Sequence, residues 1–433
     1  MKLWWSNLLE RLRGSLWVVP TLWAAGAALL VNLTLAIDDR VDDDETAFFL
    51  FYGGPASARE VLSTIASSTM TFTGLVFSVT ILVLQLASSQ FSPRVLRTFL
   101  RDRPSQMCLG IFVGTFVFAL FGLRNVHDPS DEFDLQVPAL TVWVAIVFAI
   151  GAVGAFIYLV HHIAQSVRAV TVLQRVGDDT RASLSRLYPE GIGDELEEPQ
   201  RRMVDGEPTL LVRADHRSGV LEAVDEERLW ALVTKSAAAV ELVPTMGDFV
   251  PRGSVLFKIW GDVDELDIDA LVGSTNLGEE RSMRQDVPFG LRQIVDVAER
   301  ALSPSINDPT TAVQAIDQLH DVLRILVDRR FPEPWRADDD GRLRLVLPRP
   351  DWSSYVHLAF DEIRSSGQGS IQIMRRLRFM AEDLLAVAPS FRRRALQEQI
   401  ELLDASIRRS FADRTDAVRA RSPSPQGHGP LVS

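Results

Sequence analysis

Between Val61 and Gln90 the chain reads VLSTIASSTMTFTGLVFSVTILVLQLASSQ, with no charged residue anywhere in the run. A helix of about 20 residues crosses a hydrocarbon core of ~30 Å, so this stretch is long enough to span a bilayer. Its composition is nevertheless unusual for a helix that meets only lipid. Ser63, Thr64, Ser67, Ser68, Thr69, Thr71, Thr73 and Ser78 crowd the first part, and Gln85, Ser88 and Ser89 close it. Hydroxyls gain nothing from lipid tails, whereas a water-lined path or a close helix neighbour can use them.

Three further apolar runs predict three more spans, so that the four lie at about 15–37, 61–88, 106–123 and 138–160. The first is too long for the apolar core of a secretory signal and is expected to be retained. The segments before the first span, between the second and third, and after the fourth carry Lys2, Arg11, Arg13, Arg94, Arg97, Arg101, Arg103, Arg168 and Arg175. The other two loops are acidic, from Asp38 to Glu45 and from Asp128 to Asp134. The positive-inside rule therefore predicts that both termini lie in the cytoplasm. Gly110 and Gly114 in the third span form a small-xxx-small pattern suited to close helix contact.

On a helix, Ser63, Ser67, Thr71, Gly74, Ser78 and Gln85 recur at three-, four- or seven-residue spacing and share a face. One reading makes them the lining of an ion path shared by several copies. The other makes the second span a packing helix whose hydroxyls bond back to its own carbonyls. No Asp, Glu, Lys, Arg or His falls within the spans so drawn, which argues against a proton-coupled pump.

After a helical extension and linker (161–206), a β-rich module is expected over 207–262. Its strands are TLLVRAD, GVLEAVD, AAVELV and SVLFKIWG, and it takes the form of a small barrel or sandwich. A helical domain follows over 263–420, interrupted by the strand-like RLRLVLP, and a Pro/Ser/Gly-rich tail over 421–433 is expected to be disordered. Fold class is thus four transmembrane helices (1–160) followed by a cytosolic α+β domain. Within it, Pro309 and Asp308 mark a helix start with free N–H groups, and Arg284, Arg292 and Arg300 lie near it in sequence. With Asn307 they make a candidate site for a small anionic ligand. A capped turn with Arg–Asp pairs is the plainer alternative.

The TFTGLVFSVTILVLQLASSQFSPR stretch (71–94) and the QDVPFGLRQIVDVAERALSPSINDPTTA stretch (285–312), with the GVLEAVD…GDFVPRG segment between them, resemble the bacterial inner-membrane family catalogued as domain of unknown function 2254. The resemblance covers about residues 10 to 410. It implies four spans and a C-terminal cytosolic domain, and it brings no catalytic or binding residues.

The net charge of −12 argues against nucleic acid as a partner, and one cysteine excludes an internal disulfide. No P-loop, GxGxxG, HExxH, GxSxG or CxxC occurs, so neither an enzyme nor a cofactor is expected. What remains is an oligomeric channel gated by the cytosolic domain, or a membrane-anchored sensor or scaffold whose cytosolic domain binds a ligand or partner. A lipid-facing factor in envelope maintenance is a third, weaker reading. The expected partners are the lipid bilayer, further copies of the chain, and an inorganic ion or small anion.

Overall fold

The computed structural model describes residues 17–39, 54–90, 102–126, 138–166, 168–191, 204–214, 218–236 and 238–428. Arg94, Arg97 and Arg101 of the basic segment, and most of the two acidic loops, lie outside these residues. The chain divides into two compact units, Met1–Thr171 and Val172–Ser433.

The first unit holds four helices long and apolar enough to cross a membrane: α1 (Val18–Asp38), α2 (Pro55–Gln90), α3 (Arg103–Arg124) and α4 (Ala139–Ser166). The shortest expected span, α3, is the centre, because α1, α2 and α4 all pack on it. Its glycines explain why. A Cβ on Gly110 would lie 2.4 Å from the Trp23 ring of α1, and one on Gly122 would lie 3.1 Å from Thr141 of α4. The small-xxx-small pattern is thus a seat for Trp23. Buried Leu62, Phe118, Val142 and Val31 close the packing.

Both ends of α4 are tied down by aspartates from other helices. Asp38, at the end of α1, accepts hydrogen bonds from the N–H groups of Leu140 (2.9 Å) and Thr141 (3.1 Å) and from the Thr141 hydroxyl (2.7 Å). It therefore caps a helix that is not its own, and its charge meets the positive end of that helix dipole. At the other end, Asp102 caps α3 through Ser105 and accepts from Nε2 of His162 at 2.8 Å.

The second unit begins in α5 (Ala169–Leu187), whose first residues belong to the first unit, and continues into a mixed α/β fold. Its strands are β1 (Leu210–Arg213), β2 (Gly219–Val224), β3 (Ala239–Leu242), β4 (Phe249–Val250), β5 (Val255–Trp260), β6 (Thr275–Gly278), β7 (Trp335–Ala337) and β8 (Leu343–Val346). They form two open sheets, in the orders β1-β5-β3-β8-β7 and β4-β2-β6. Neither sheet closes, so the expected barrel is not found among the described residues. Two helices complete this part. One is α6 (Glu226–Ser236), which buries Leu229 and Val233 at helical spacing against Val240, Phe257 and Leu345; the other is the short α7 (Ile268–Val272).

The remaining helices are α8 (Val287–Ala301), α9 (Pro309–Leu326), α10 (Trp352–Ser366), α11 (Ile371–Val387), α12 (Arg393–Ser410) and α13 (Arg414–Arg421). They pack pairwise, α8 on α9 and α10, and α11 on α9, α12 and α13. Beyond α13, Ser424 is buried, and the segment reaching Gly427 lies against Arg375 and Gln372 of α11. Disorder expected from Arg421 onward thus gives way to packing as far as His428.

Arg392 sits where these helices meet, only 2% exposed. Its guanidinium donates to the carbonyls of Leu326 (3.0 Å), Val327 (2.8 Å) and Arg329 (2.9 Å), which end α9, and it stacks on Phe331 at 4.5 Å. Leu326 also accepts from the N–H of Arg329 at 3.1 Å, and the buried cation serves the carbonyls at this helix end as a C-cap. Arg392→Ala should therefore destabilise the second unit by about 3–5 kcal/mol, whereas Arg394→Ala, exposed on α12, should cost under about 0.5 kcal/mol. Urea unfolding of the full chain in mild detergent, followed by circular dichroism, checks the contrast.

Candidate functional site

On α2, Leu62, Ile65, Ala66, Thr69, Thr73 and Val76 are buried against the rest of the first unit. Ser63, Ser67, Thr71, Gly74, Ser78 and Gln85 are all exposed. This hydroxyl-bearing stripe is thus left uncovered by the chain, as are Met70, Leu75, Ile81 and Leu82 of the same helix, and a Cβ on Gly74 would meet nothing within 4 Å. The hydroxyls are not idle. Ser67 donates to the carbonyl of Thr64 (3.1 Å), Thr71 to that of Ser67 (2.9 Å) and Ser78 to that of Gly74 (3.0 Å). Each hydrogen is spent on the helix itself, so the surface presents oxygen lone pairs.

The helix begins at Pro55, earlier than the apolar run, and this brings Glu60 onto the same face. Glu60 is exposed, three residues before Ser63 and seven before Ser67. The neighbouring Arg59 is turned elsewhere, donating to the Val126 carbonyl at 3.2 Å.

In the second unit the arginines named from sequence do not converge. Arg284 lies in the turn before α8 and Arg300 in the last turn of that helix, at its opposite end. Arg292, between them, is held by Asp296 (2.8 Å), Glu299 (3.4 Å) and Glu362. Burial and the nearby Glu362 push the Glu299 carboxyl above its usual value. Asn307 adopts a left-handed φ of 48°, and Asp308 caps α9 by accepting from the N–H (3.1 Å) and hydroxyl (2.6 Å) of Thr311. The α9 start is thus a capped turn as the Pro/Asp pair predicts, and Arg292 is committed elsewhere.

A model for the family described as predicted membrane protein (DUF2254) matches residues 13–383. The chain belongs to this family. An uncharacterized protein of Mycobacterium tuberculosis (strain H37Rv) and one of Mycobacterium bovis are each 35% identical to it over 423 residues, covering 94% of this chain and 79% of the relative. No solved structure matches it. Both specific stretches on which the resemblance rests, on α2 and around α8 and α9, lie inside the family match.

Two features of this family member were not evident from sequence. One is a cleft of about 270 Å³ in the second unit, walled by Arg281, Asp286, Glu226 and Arg349 among apolar side chains. The other is a chain of charges on α9 and α11. Arg376 donates through Nε to Asp317 (2.7 Å) and through Nη2 to Nδ1 of His320 (3.0 Å). The His320 proton therefore sits on Nε2, which donates to Asp383 at 2.8 Å, where Arg324 also pairs. Burial lowers the His320 pKa, and Arg376 and Arg324 add to this against the pull of Asp383.

A histidine held below its ordinary value of about 6.5 stabilises the fold fully above that value, and the contribution is lost as pH falls. Stability of the second unit should thus decline as pH drops from about 6.5 toward 5, and His320→Gln should flatten that slope. Thermal unfolding across this range tests it, and an unchanged slope in the variant would count against the assignment.

Proposed function

We propose that the protein is an oligomeric channel of the inner membrane in which α2 from several copies lines the path and the second unit, in the cytosol with both termini, regulates it. The observation that carries this reading is the exposure of the whole stripe from Ser63 to Gln85 on one face of a membrane helix. Polar groups facing lipid alone gain nothing, whereas around a shared axis they replace part of an ion's hydration shell. Oxygen lone pairs along the stripe and the Glu60 carboxylate at its start suit a cation. Neither catalysis nor a cofactor is part of this proposal.

The second reading, a membrane-anchored sensor, is favoured by the cleft in the second unit. In that case the exposed stripe would serve helix association, with its hydroxyls bonded to their own backbone as the packing alternative holds.

Potassium and chloride flux into liposomes separates the two. The channel reading expects potassium flux in the parent that Thr71→Phe and Ser78→Phe abolish while assembly persists, and weaker cation preference in Glu60→Gln. Absence of flux under every gradient and voltage would leave the sensor reading.

A further inference from the structure

The cleft in the second unit is assembled from well-separated parts of the chain: the end of α5, the turn from β2 into α6, the hairpin after β3, the approach to α8, and the segment after β8. Two ion pairs stand in its wall. Arg281 grips Asp286 through Nε (2.8 Å) and Nη2 (2.9 Å), and Arg349 reaches Glu226 through Nη2 (2.7 Å). Asp286 is almost fully buried and also caps α8 by accepting from the N–H of Phe289 at 3.1 Å. Burial pushes its carboxyl above the usual range, against the pull of Arg281. The hairpin closes over this pair so tightly that a Cβ on Gly247, at φ +89°, would lie 2.4 Å from Asp286.

The wall holds donors without acceptors. Both oxygens of Asp286 are occupied, and the Gln285 amide is spent at both ends on the backbone of Val224. On the other side of the ledger, Nε of Arg349 is buried without an acceptor. Among the described residues, Nη1 of Arg349, Nη1 of Arg281 and the Thr245 hydroxyl hold no hydrogen bond either. A buried guanidinium donor left unmatched is costly, and a planar carboxylate fits its fork. Leu187, Leu242, Met246 and Leu347 make the rest of the cleft apolar. Two arginines against two carboxylates leave no net charge there, which suits a monoanion better than a doubly charged phosphate. A volume of about 270 Å³ suits a small organic molecule.

We infer that this cleft is a binding site for a small organic monocarboxylate, its carboxylate held by Arg349 and Arg281 and its apolar body laid against Met246 and Leu347. The inference stands apart from whether α2 conducts. Its test is fluorine NMR with 4-fluorobenzoate on the full chain in nanodiscs, against empty nanodiscs, with inorganic phosphate as competitor.

Saturable binding in the millimolar range or tighter is expected. Arg349→Gln should weaken it at least tenfold, as should Met246→Trp, which fills the cleft and leaves the ion pairs in place. Arg394→Gln, on an exposed stretch of α12, should leave it unchanged, and phosphate should compete poorly. Circular dichroism identifies variants that have not folded. No saturable binding, binding unmoved in folded Arg349→Gln and Met246→Trp, or displacement by phosphate at equal concentration would each overturn the assignment.

Discussion

No water reaches the middle of a bilayer, so a chain that crosses it must satisfy its own backbone and then find partners for the helix ends. This constraint organises the first unit. Within each helix the carbonyls and N–H groups pair along the axis, and Thr69, Thr73 and Thr80 return their hydroxyl hydrogens to the same backbone. The ends are served across helices. Asp38 of α1 caps α4, Thr34 joins Thr141 at 2.9 Å, and Asp102 couples the start of α3 to His162. Apolar contact alone gives little preference among arrangements in lipid, so these polar ties, together with the glycine seats of α3, select which helices are neighbours. The part of α2 left over is then defined by exclusion, and it carries the hydroxyl stripe beside Met70, Leu75, Ile81 and Leu82.

The second unit meets the same requirement in water with different means. Arg392 serves the carbonyls at the end of α9, and Asp286 caps α8 while bound to Arg281. In both places one buried charge answers backbone groups that the helix cannot. Beside Arg349, whose buried Nε finds no acceptor among the described residues, the proposed carboxylate would complete the arrangement from outside the chain.

Much of this was legible in the sequence. Uninterrupted apolar length announced all four spans, and Asp308-Pro309 announced the start of α9 because an N-cap and a proline at the first turn are local signals. Helical spacing places Ser63, Ser67, Thr71 and Ser78 on one side of α2, and their exposure is read from the structure. The failures are equally physical. EERLWALVTKS falls inside the module expected to be β-rich, although Leu229 and Val233 lie four apart and bury one side of α6. Asn276 on the short β6 and Trp335 on β7 sit in strands of four and three residues, too brief to show a period. The fate of Arg292 depended on Glu362, seventy residues away, and the cleft on side chains from Leu187 to Pro350. Ion pairs across such separations leave no local pattern. Closeness of Arg284, Arg292 and Arg300 in sequence is no closeness in space, since Arg284 precedes α8 and the helix spreads Arg292 and Arg300 along its length.

The central claim is that the exposed stripe of α2 faces water shared between copies of the chain. Cys108 is the single cysteine and is buried, so a Cys108→Ala chain accepts new thiols cleanly. Single cysteines placed at Ser67, Thr71, Ser78, Met70 and Leu75 would be challenged in native membranes with a charged, membrane-impermeant thiol reagent added from each side in turn. Reaction at positions 67, 71 and 78, with silence at 70 and 75, is the result expected. Equal silence at all five positions, or reaction at 70 and 75 instead, would contradict it.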